Sequence, residues 1–229
     1  MIKRNQIITL AVTFAGLFLG HAALGQQAGK VVRAKGEVVV LSAAGGSQAL
    51  EKGSAVSVGD SVKTGENGQA LIQMGDKSRL IIRKNSEVKI EAFEYKKKDT
   101  DKAETSLISG ALRAVSGNIA KKNPASVKYS AGTATIGIRG TDIDVAIIGD
   151  GQQDRAGVYN YVRKGSTQMA LASGETSLVE EETAGFTPKD PKPGEPLLQI
   201  LRDRPAFLES SGFDTLIQQL TAPRVPMIR

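Results

Sequence analysis

The segment ATIGIRGTDIDVAII, residues 134–148, constrains the fold of this chain more than any other part of its sequence. Its apolar residues fall on even positions at Ile136 and Ile138 and on odd positions from Ile143 onward. Side chains of a β-strand alternate between two faces, so this pattern requires a change of phase within the strand. Gly140 lies at the change, where glycine supplies the backbone angles of a bulge or sharp bend. The segment therefore predicts a bent strand of the kind found at a barrel corner.

The chain between residues 31 and 187 continues this character. Short runs of alternating apolar residues are separated by turn residues such as Gly59-Asp60 and Gly75-Asp76. Such spacing is typical of short antiparallel strands, and no useful helical periodicity precedes Pro188. The sequence predicts one all-β domain over residues 31–187, an irregular β-sandwich or barrel of about ten or more strands, with a β-solenoid-like stack as the alternative.

Proline density marks the end of this domain. Seven of the eight prolines lie at or beyond Pro188, and four of them fall within residues 188–196. Such density predicts an extended Pro-rich linker over residues 188–196, followed by a C-terminal tail over residues 197–229.

The C-terminal tail is predicted to contain one or two short helices. Pro196 would open the first, over residues 197–201, and the second follows from the helical spacing of Phe213, Leu216, Ile217 and Leu220. A short isolated helix is marginal in water, so the tail either packs back on its own domain or docks on a partner.

The first 25 residues have the layout of a secretory signal peptide. Lys3 and Arg4 form a basic start, an apolar run covers residues 7–19, and small residues follow up to Gly25. The apolar run is too short to span a bilayer, and no comparable run follows it. The sequence predicts cleavage after Gly25, or else after Ala22, a mature chain without a transmembrane segment, and a periplasmic location, with an extracellular one as the alternative.

The amino-acid composition excludes several classes of catalytic and metal site. The chain has no cysteine and no tryptophan, and its one histidine, His21, lies within the predicted signal peptide. Ser-His-Asp and Cys-His catalysis, zinc sites and disulfide frameworks are therefore excluded for the mature chain. Only eight aromatic residues follow the signal peptide, which argues against stacking platforms for nucleic acid. We expect a non-enzymatic protein without a cofactor and without a nucleic-acid partner.

Two groups of charged residues are candidate sites. Asp142 and Asp144 are two residues apart on one strand, so their carboxylates leave the same face, and Asp150 follows in a turn. Clusters of carboxylate oxygens can hold calcium, which makes these three residues weak candidates for a metal site. Lys96-Lys97-Lys98 with Lys102 is most simply the solvated tip of a hairpin, and the alternative is a patch for phosphate or lipid headgroups.

Several glycine-containing blocks follow one another along the β-domain. They include VGDSVKTG at residues 58–65, DKSRLII at residues 76–82, LISGAL at residues 107–112 and ATIGIRGT at residues 134–141. In their order and spacing, these blocks resemble the FecR domain of bacterial periplasmic signalling proteins. The resemblance implies a non-catalytic β-domain that receives or relays a signal in the periplasm through contact with an envelope or membrane protein. We expect the stand-alone secreted type, because the chain lacks the sigma-binding segment and the transporter-contacting domain of the iron-transport regulators.

Two alternatives to this function stay open. The mild positive charge, +6 for the whole chain and +4 after loss of Lys3 and Arg4, favours binding of an envelope polymer such as peptidoglycan or an acidic polysaccharide. The resemblance also implies self-cleavage, since some sigma-regulating relatives cleave a Gly-Thr bond by an N-to-O acyl shift. Gly140 and Thr141 occupy the matching position. Thr141 Oγ would attack the Gly140 carbonyl, with Asp142 or Asp144 as the candidate base.

Overall fold

The computed structural model describes residues 25–208, and within them the predicted all-β fold is confirmed. One short α-helix, α1 (Asn118–Lys122), and two single 3-10 turns accompany the strands. The fifteen strands of the described residues are β1 (Gln27–Lys35), β2 (Val38–Leu41), β3 (Ser47–Ala49), β4 (Ala55–Ser57), β5 (Ser61–Thr64), β6 (Gln69–Met74), β7 (Arg79–Ile82), β8 (Glu87–Glu94), β9 (Lys102–Val115), β10 (Val127–Ala131), β11 (Ala134–Ile148), β12 (Gly157–Leu171), β13 (Thr176–Val179), β14 (Ala184–Pro188) and β15 (Gln199–Leu201).

Three long strands, β9, β11 and β12, change neighbours halfway along their length. The first half of β9 pairs with β8 and β10, whereas its second half pairs with β7 and β11. The changes fall at Gly110, Gly140 and Gly165, whose φ angles are +75°, +61° and +84°. The register of β11 against β12 shifts between Arg139 and Asp142, which confirms the predicted change of phase. These glycines form the corner at which the sheet folds over.

The corner divides one continuous sheet into two layers. The front layer has the strand order β4-β1-β6-β7-β9-β11-β12-β14-β15, and it contains the second halves of β9 and β11 with the first half of β12. The back layer has the order β3-β2-β5-β8-β9-β10-β11-β12-β13. Over the described residues the sheet does not close, so the fold is an open β-sandwich rather than a barrel or a solenoid-like stack.

The hydrophobic core lies between the two layers. Ile82, Leu112 and Ile143 of the front layer are fully buried in one cluster with Val88 and Ile136 of the back layer. Each such side chain contributes about 1.5–3 kcal/mol through removal of its surface from water. Alternation along each strand leaves the other face of the front layer, called the front face below, pointing away from this core.

A parallel strand pair needs a crossover, and α1 supplies it. β9 and β10 run parallel, joined by α1 and the 3-10 turn Pro124–Ser126. The Asp76 carboxylate, 2% exposed, fixes this connection to the turn between β6 and β7. It accepts hydrogen bonds from the backbone N–H groups of Ser78 at 3.0 Å and Ile119 at 3.3 Å.

The C-terminal part of the described chain differs from its prediction in two respects. Residues 199–201, predicted as part of a helix, form the edge strand β15, which pairs with β14. The Pro-rich segment 188–196 is held to the sandwich: Glu195 accepts a hydrogen bond from Arg155 at 2.8 Å, and Lys189 pairs with Asp150 at 2.5 Å. The Arg155 guanidinium and the Lys192 N–H hold the pKa of Glu195 well below its usual range. The predicted helix over residues 213–220 and the predicted signal peptide, apart from Gly25, lie outside the described residues.

The corner glycines make a paired stability prediction. A Cβ at Gly110 would lie 2.3 Å from Ser86 Oγ and 2.5 Å from Asn85 O, whereas one at Gly140 would meet nothing within 4 Å. We expect Gly140→Ala to lower the free energy of unfolding by about 1 kcal/mol through the left-handed backbone alone. Gly110→Ala should lower it by about 3 kcal/mol or more, because a clash adds to that strain. Urea denaturation of both variants measures the difference, and equal losses would contradict the corner geometry.

Candidate functional site

A single row of paired residues crosses the front face from one edge of the sheet to the other. Because directly paired residues of neighbouring strands share a face, the row can be read from the register of the strands. It has an apolar pair near one end, charges in the middle and apolar residues at the far end. In order, the row is Arg33, Leu71, Ile81, Arg113, Asp144, Tyr161, Ala184 and Leu201.

The charged middle of the row is an arginine–aspartate network. Arg113 binds Asp142 through two hydrogen bonds, Nε to Oδ1 at 2.8 Å and Nη2 to Oδ2 at 2.7 Å. Asp144 is fully buried and accepts from Arg83 Nη2 at 2.6 Å on one oxygen and from Arg163 Nε on the other. A buried carboxylate is tolerated only when cations and hydrogen bonds replace its water, and this network supplies both.

The predicted calcium site is not formed. Asp142 and Asp144 both lie on the front face, but their oxygens are occupied by the guanidinium groups of three arginines. Asp150 pairs with Lys189 in the exposed turn beyond β11 instead of joining them. Over residues 25–208, no three carboxylate, histidine or cysteine side chains are placed to hold a metal ion together.

The predicted cleavage pair Gly140-Thr141 lies at the sandwich corner against Ser116. The Thr141 N–H donates to Ser116 Oγ at 2.7 Å, and Ser116 Oγ lies 2.8 Å from the Thr141 carbonyl oxygen, to which it donates. Thr141 Oγ1 lies 3.4 Å from the same hydroxyl, and the threonine is 4% exposed. Asp142 and Asp144, the candidate bases, are held by arginines. The local geometry therefore fixes the peptide, and self-cleavage stays the alternative that the sequence left open.

An open groove of about 590 Å³ runs beside the network. Ala111, Ile147, Ile148 and Phe207 give it apolar walls. Its polar lining comes from two loops and the end of β7, and it includes Arg83, Lys84, Asn85, Gln152 and Gln153. Arg83 belongs both to the arginine–aspartate network and to the wall of the groove. Its ion pair with the buried Asp144 therefore fixes the position of its guanidinium group in that wall. We call this feature the front groove.

The front groove is closed at one end by the 3-10 turn Ala206–Leu208. The Asp154 carboxylate accepts from the backbone N–H of Ala206 at 2.9 Å and of Phe207 at 2.7 Å. The Phe207 ring packs edge-on against Tyr159, with centroids 5.5 Å apart. Burial raises the pKa of Tyr159 to about 12, and its hydroxyl donates to Arg155 O at 2.8 Å. This end of the groove is thus a packed wall.

Helix α1 brings two further lysines, Lys121 and Lys122, next to the lysine-rich hairpin tip, although they are distant from it in sequence. Helix α1 lies against the tip, and Lys122 pairs with Asp99 at 2.8 Å. The tip and α1 together present six exposed lysines, which we call the lysine patch: Lys96, Lys97, Lys98, Lys102, Lys121 and Lys122. Asp101 is buried, and its carboxylate accepts hydrogen bonds from the backbone N–H groups of Lys96 and Lys98, at 2.8 and 3.0 Å. These bonds fix the conformation of the tip.

Sequence reasoning missed the cations of the network and the contact of Ser116. Arg113 stands alone within the apolar run ALRAV, and Arg83 ends the apolar run LII of β7. A lone charge inside a strand that is otherwise apolar indicates a buried partner, and this signal was present. Ser116 carries no comparable signal, because its partner Thr141 is 25 residues away.

The fold and the front face define an all-β sandwich domain of about 180 residues with a charged, recessed surface. The model of the FecR protein family matches residues 60–180, which is more than half of the chain. The chain belongs to the FecR family, as its motifs indicated.

Structural comparison finds matches of low sequence identity and low TM-score. Two crystal structures of a proposed anti-sigma factor from Parabacteroides distasonis match with TM-scores of 0.45 and 0.47, at 9% and 8% identity over 61% of this chain. The chain spans 58% of the length of each of them. A third structure, a cell surface anchoring domain, is 29% identical over 28% of this chain and 86% of its own length, with a TM-score of 0.28. No curated protein matches the chain.

Within residues 25–208, no helix is both long enough and apolar enough to cross a bilayer.

The arginine–aspartate network gives a second stability prediction. Asp144→Asn removes the buried carboxylate that pairs with the buried Arg83 and the half-buried Arg163, so we expect the free energy of unfolding to fall by about 3 kcal/mol or more. Asp150→Asn is the matched control, because it removes an exposed ion pair worth at most about 1 kcal/mol. Chemical denaturation of the two variants at neutral pH is the measurement. A mild loss for Asp144→Asn, similar to that of the control, would contradict the structural role of the network.

The cleavage hypothesis can be tested by mass. Since both candidate bases are held by arginines, we expect the purified mature protein to give a single intact mass. Two fragments, the second starting at Thr141, would instead establish self-cleavage, provided that Thr141→Ala abolishes them. Thr133→Ala, at the other Gly-Thr pair, is the control that should leave such fragments unchanged.

Proposed function

We propose that this FecR-family domain is a non-catalytic binding module of the bacterial periplasm that acts through contact with an envelope protein. The front groove carries the proposal, because it combines apolar walls with polar donors along an open channel. Binding sites for polypeptides share this composition, in which apolar contacts supply affinity and a few polar groups fix orientation. The predicted signal peptide supports the location.

The rigidity of the groove walls supports recognition of a defined partner. Arg83 is held by Asp144, and Phe207 is held by Tyr159 and Asp154, so these side chains are ordered before a partner arrives. Pre-ordered side chains lose little conformational entropy on binding. Lys84, Gln152 and Gln153 are exposed at the rim and can adjust to the partner.

Binding of an acidic envelope polymer is the second candidate function, and the lysine patch favours it. Six exposed lysines lie on one surface, accompanied by the acidic residues Glu94, Asp99 and Asp101. Glu94 and Asp99 each pair with a lysine of the patch, which lowers the net charge available to a polymer. An anionic polymer would be bound through salt-sensitive contacts at this patch.

Site-specific photo-crosslinking distinguishes the two functions. A photoreactive amino acid placed at Lys84 or Gln153, on the rim of the front groove, should give an adduct of one discrete mass in the intact envelope. The same group at Gln48, an exposed residue of β3 in the back layer, is the matched control and should give none. Adducts at all three positions, or at none, would contradict recognition through the groove.

Sedimentation with purified sacculi tests the polymer alternative in parallel. For a groove-binding module, we expect the protein to stay in the supernatant at low salt. Sedimentation that is lost in a Lys97→Glu, Lys121→Glu double variant, but kept in Lys84→Glu, would assign the function to the lysine patch.

A further inference from the structure

The apolar end of the front-face row forms a patch that has no part in the proposed groove. Leu71 and Ile81 lie side by side on β6 and β7, with Val32 and Val115 packed against them. All four belong to a cluster separate from the main core. Leu71 and Ile81 are nevertheless fully buried, although the face that carries them turns away from the core. We call these four residues the front patch.

Arginines border the front patch on the same face. Arg33 is paired with Leu71, Arg113 with Ile81, and Arg79 with Val115 in the register of the sheet. Arg113 is already paired with Asp142, so Arg33 and Arg79 are the cations of this border. An apolar patch bordered by cations fits an amphipathic segment whose flanking charges are negative.

The described chain ends on this face. Leu208, 1% exposed, packs over Tyr161 and Ala184, which belong to the same row as Leu71 and Ile81. Tyr161 on β12 is three strands from Ile81 on β7, and neighbouring strands are about 4.8 Å apart, so the distance is roughly 15 Å. The five residue steps from Leu208 to Phe213 can extend about 17 Å, which is enough to reach the patch.

The sequence that follows Leu208 has the complementary chemistry. Phe213, Leu216, Ile217 and Leu220 have the spacing of one helical face. Residues 209–220 contain the acidic residues Glu209 and Asp214 and no lysine or arginine, which gives them a formal charge of −2. A helix this short is only marginally stable on its own in water, so its apolar face requires a surface to pack on.

We propose that residues 209–220 of this chain dock on the front patch of their own domain. In this arrangement Phe213, Leu216, Ile217 and Leu220 cover Leu71 and Ile81, and the acidic side chains face the side of the patch that carries Arg33 and Arg79. Displacement of the segment would uncover a second apolar surface next to the groove.

Paramagnetic relaxation in the full chain tests this docking directly. The chain has no cysteine, so Gln218→Cys carries a single spin label on the helix side opposite the apolar face. We expect the methyl signals of Leu71, Ile81 and Val115 to lose more than half of their intensity relative to the reduced label. The methyl signals of Val38 and Val40 in the back layer should keep theirs. Unchanged signals on the patch would overturn the proposal.

Variants in the docking segment keep the test independent of folding. A Leu216→Asp, Ile217→Asp double variant should restore the signals of the patch, whereas Thr215→Asp, on the opposite side of the helix, should not. Restoration by both variants, or by neither, would overturn the proposal. A spin-labelled copy mixed with an isotopically labelled, unmodified copy decides the source of the effect. Attenuation in the unmodified copy would identify a second copy as the occupant and overturn docking within one chain.

Discussion

The structure depends on the sharp bends of β9, β11 and β12. A single sheet cannot bury an apolar face unless it folds over itself, and here it does so along one line, marked by Gly110, Gly140 and Gly165. Two of these positions exclude a side chain by contact as well as by backbone angle, because a Cβ at Gly110 or Gly165 would lie within 3 Å of another residue. The hydrophobic core, the charged front face and the corner at Thr141 all follow from this folding line.

The front face shows how such a sandwich tolerates charge at its centre. Asp144 lies in a buried position that an apolar residue would ordinarily occupy, and Arg83 and Arg163 stabilise its charge. Arg113 binds the neighbouring Asp142. Replacement of such a network by apolar residues often leaves stability unchanged or raises it, so stability alone does not account for its presence. Its other effect is geometric, because Asp144 fixes Arg83 at the wall of the front groove.

The sequence predicted those features whose signal is local. The alternation of apolar and polar residues predicted the all-β class, and the change of phase at Gly140 predicted the corner. Both could be read from the sequence because side-chain periodicity depends only on neighbouring residues. The segment Leu197–Leu201 was misassigned, since four apolar residues in five positions fit a helix and a strand equally well, and only pairing with β14 decides between them. For a related reason, the sequence could not show that arginines occupy the oxygens of two of the three calcium candidates. The cations that neutralise Asp142 and Asp144 lie 19 to 61 residues away in sequence, at Arg163, Arg113 and Arg83.

The bent strands also have a mechanical consequence. In a sandwich built from two separate sheets, the layers can slide past each other along their shared apolar interface. Here the same three backbones run through both layers, so sliding would require covalent chains to stretch. A force applied to β14 or β15 at the edge of the front layer passes through β12 into the back layer. A load on one layer is thus carried to the other by the continuous backbones of the bent strands and not only by side-chain packing.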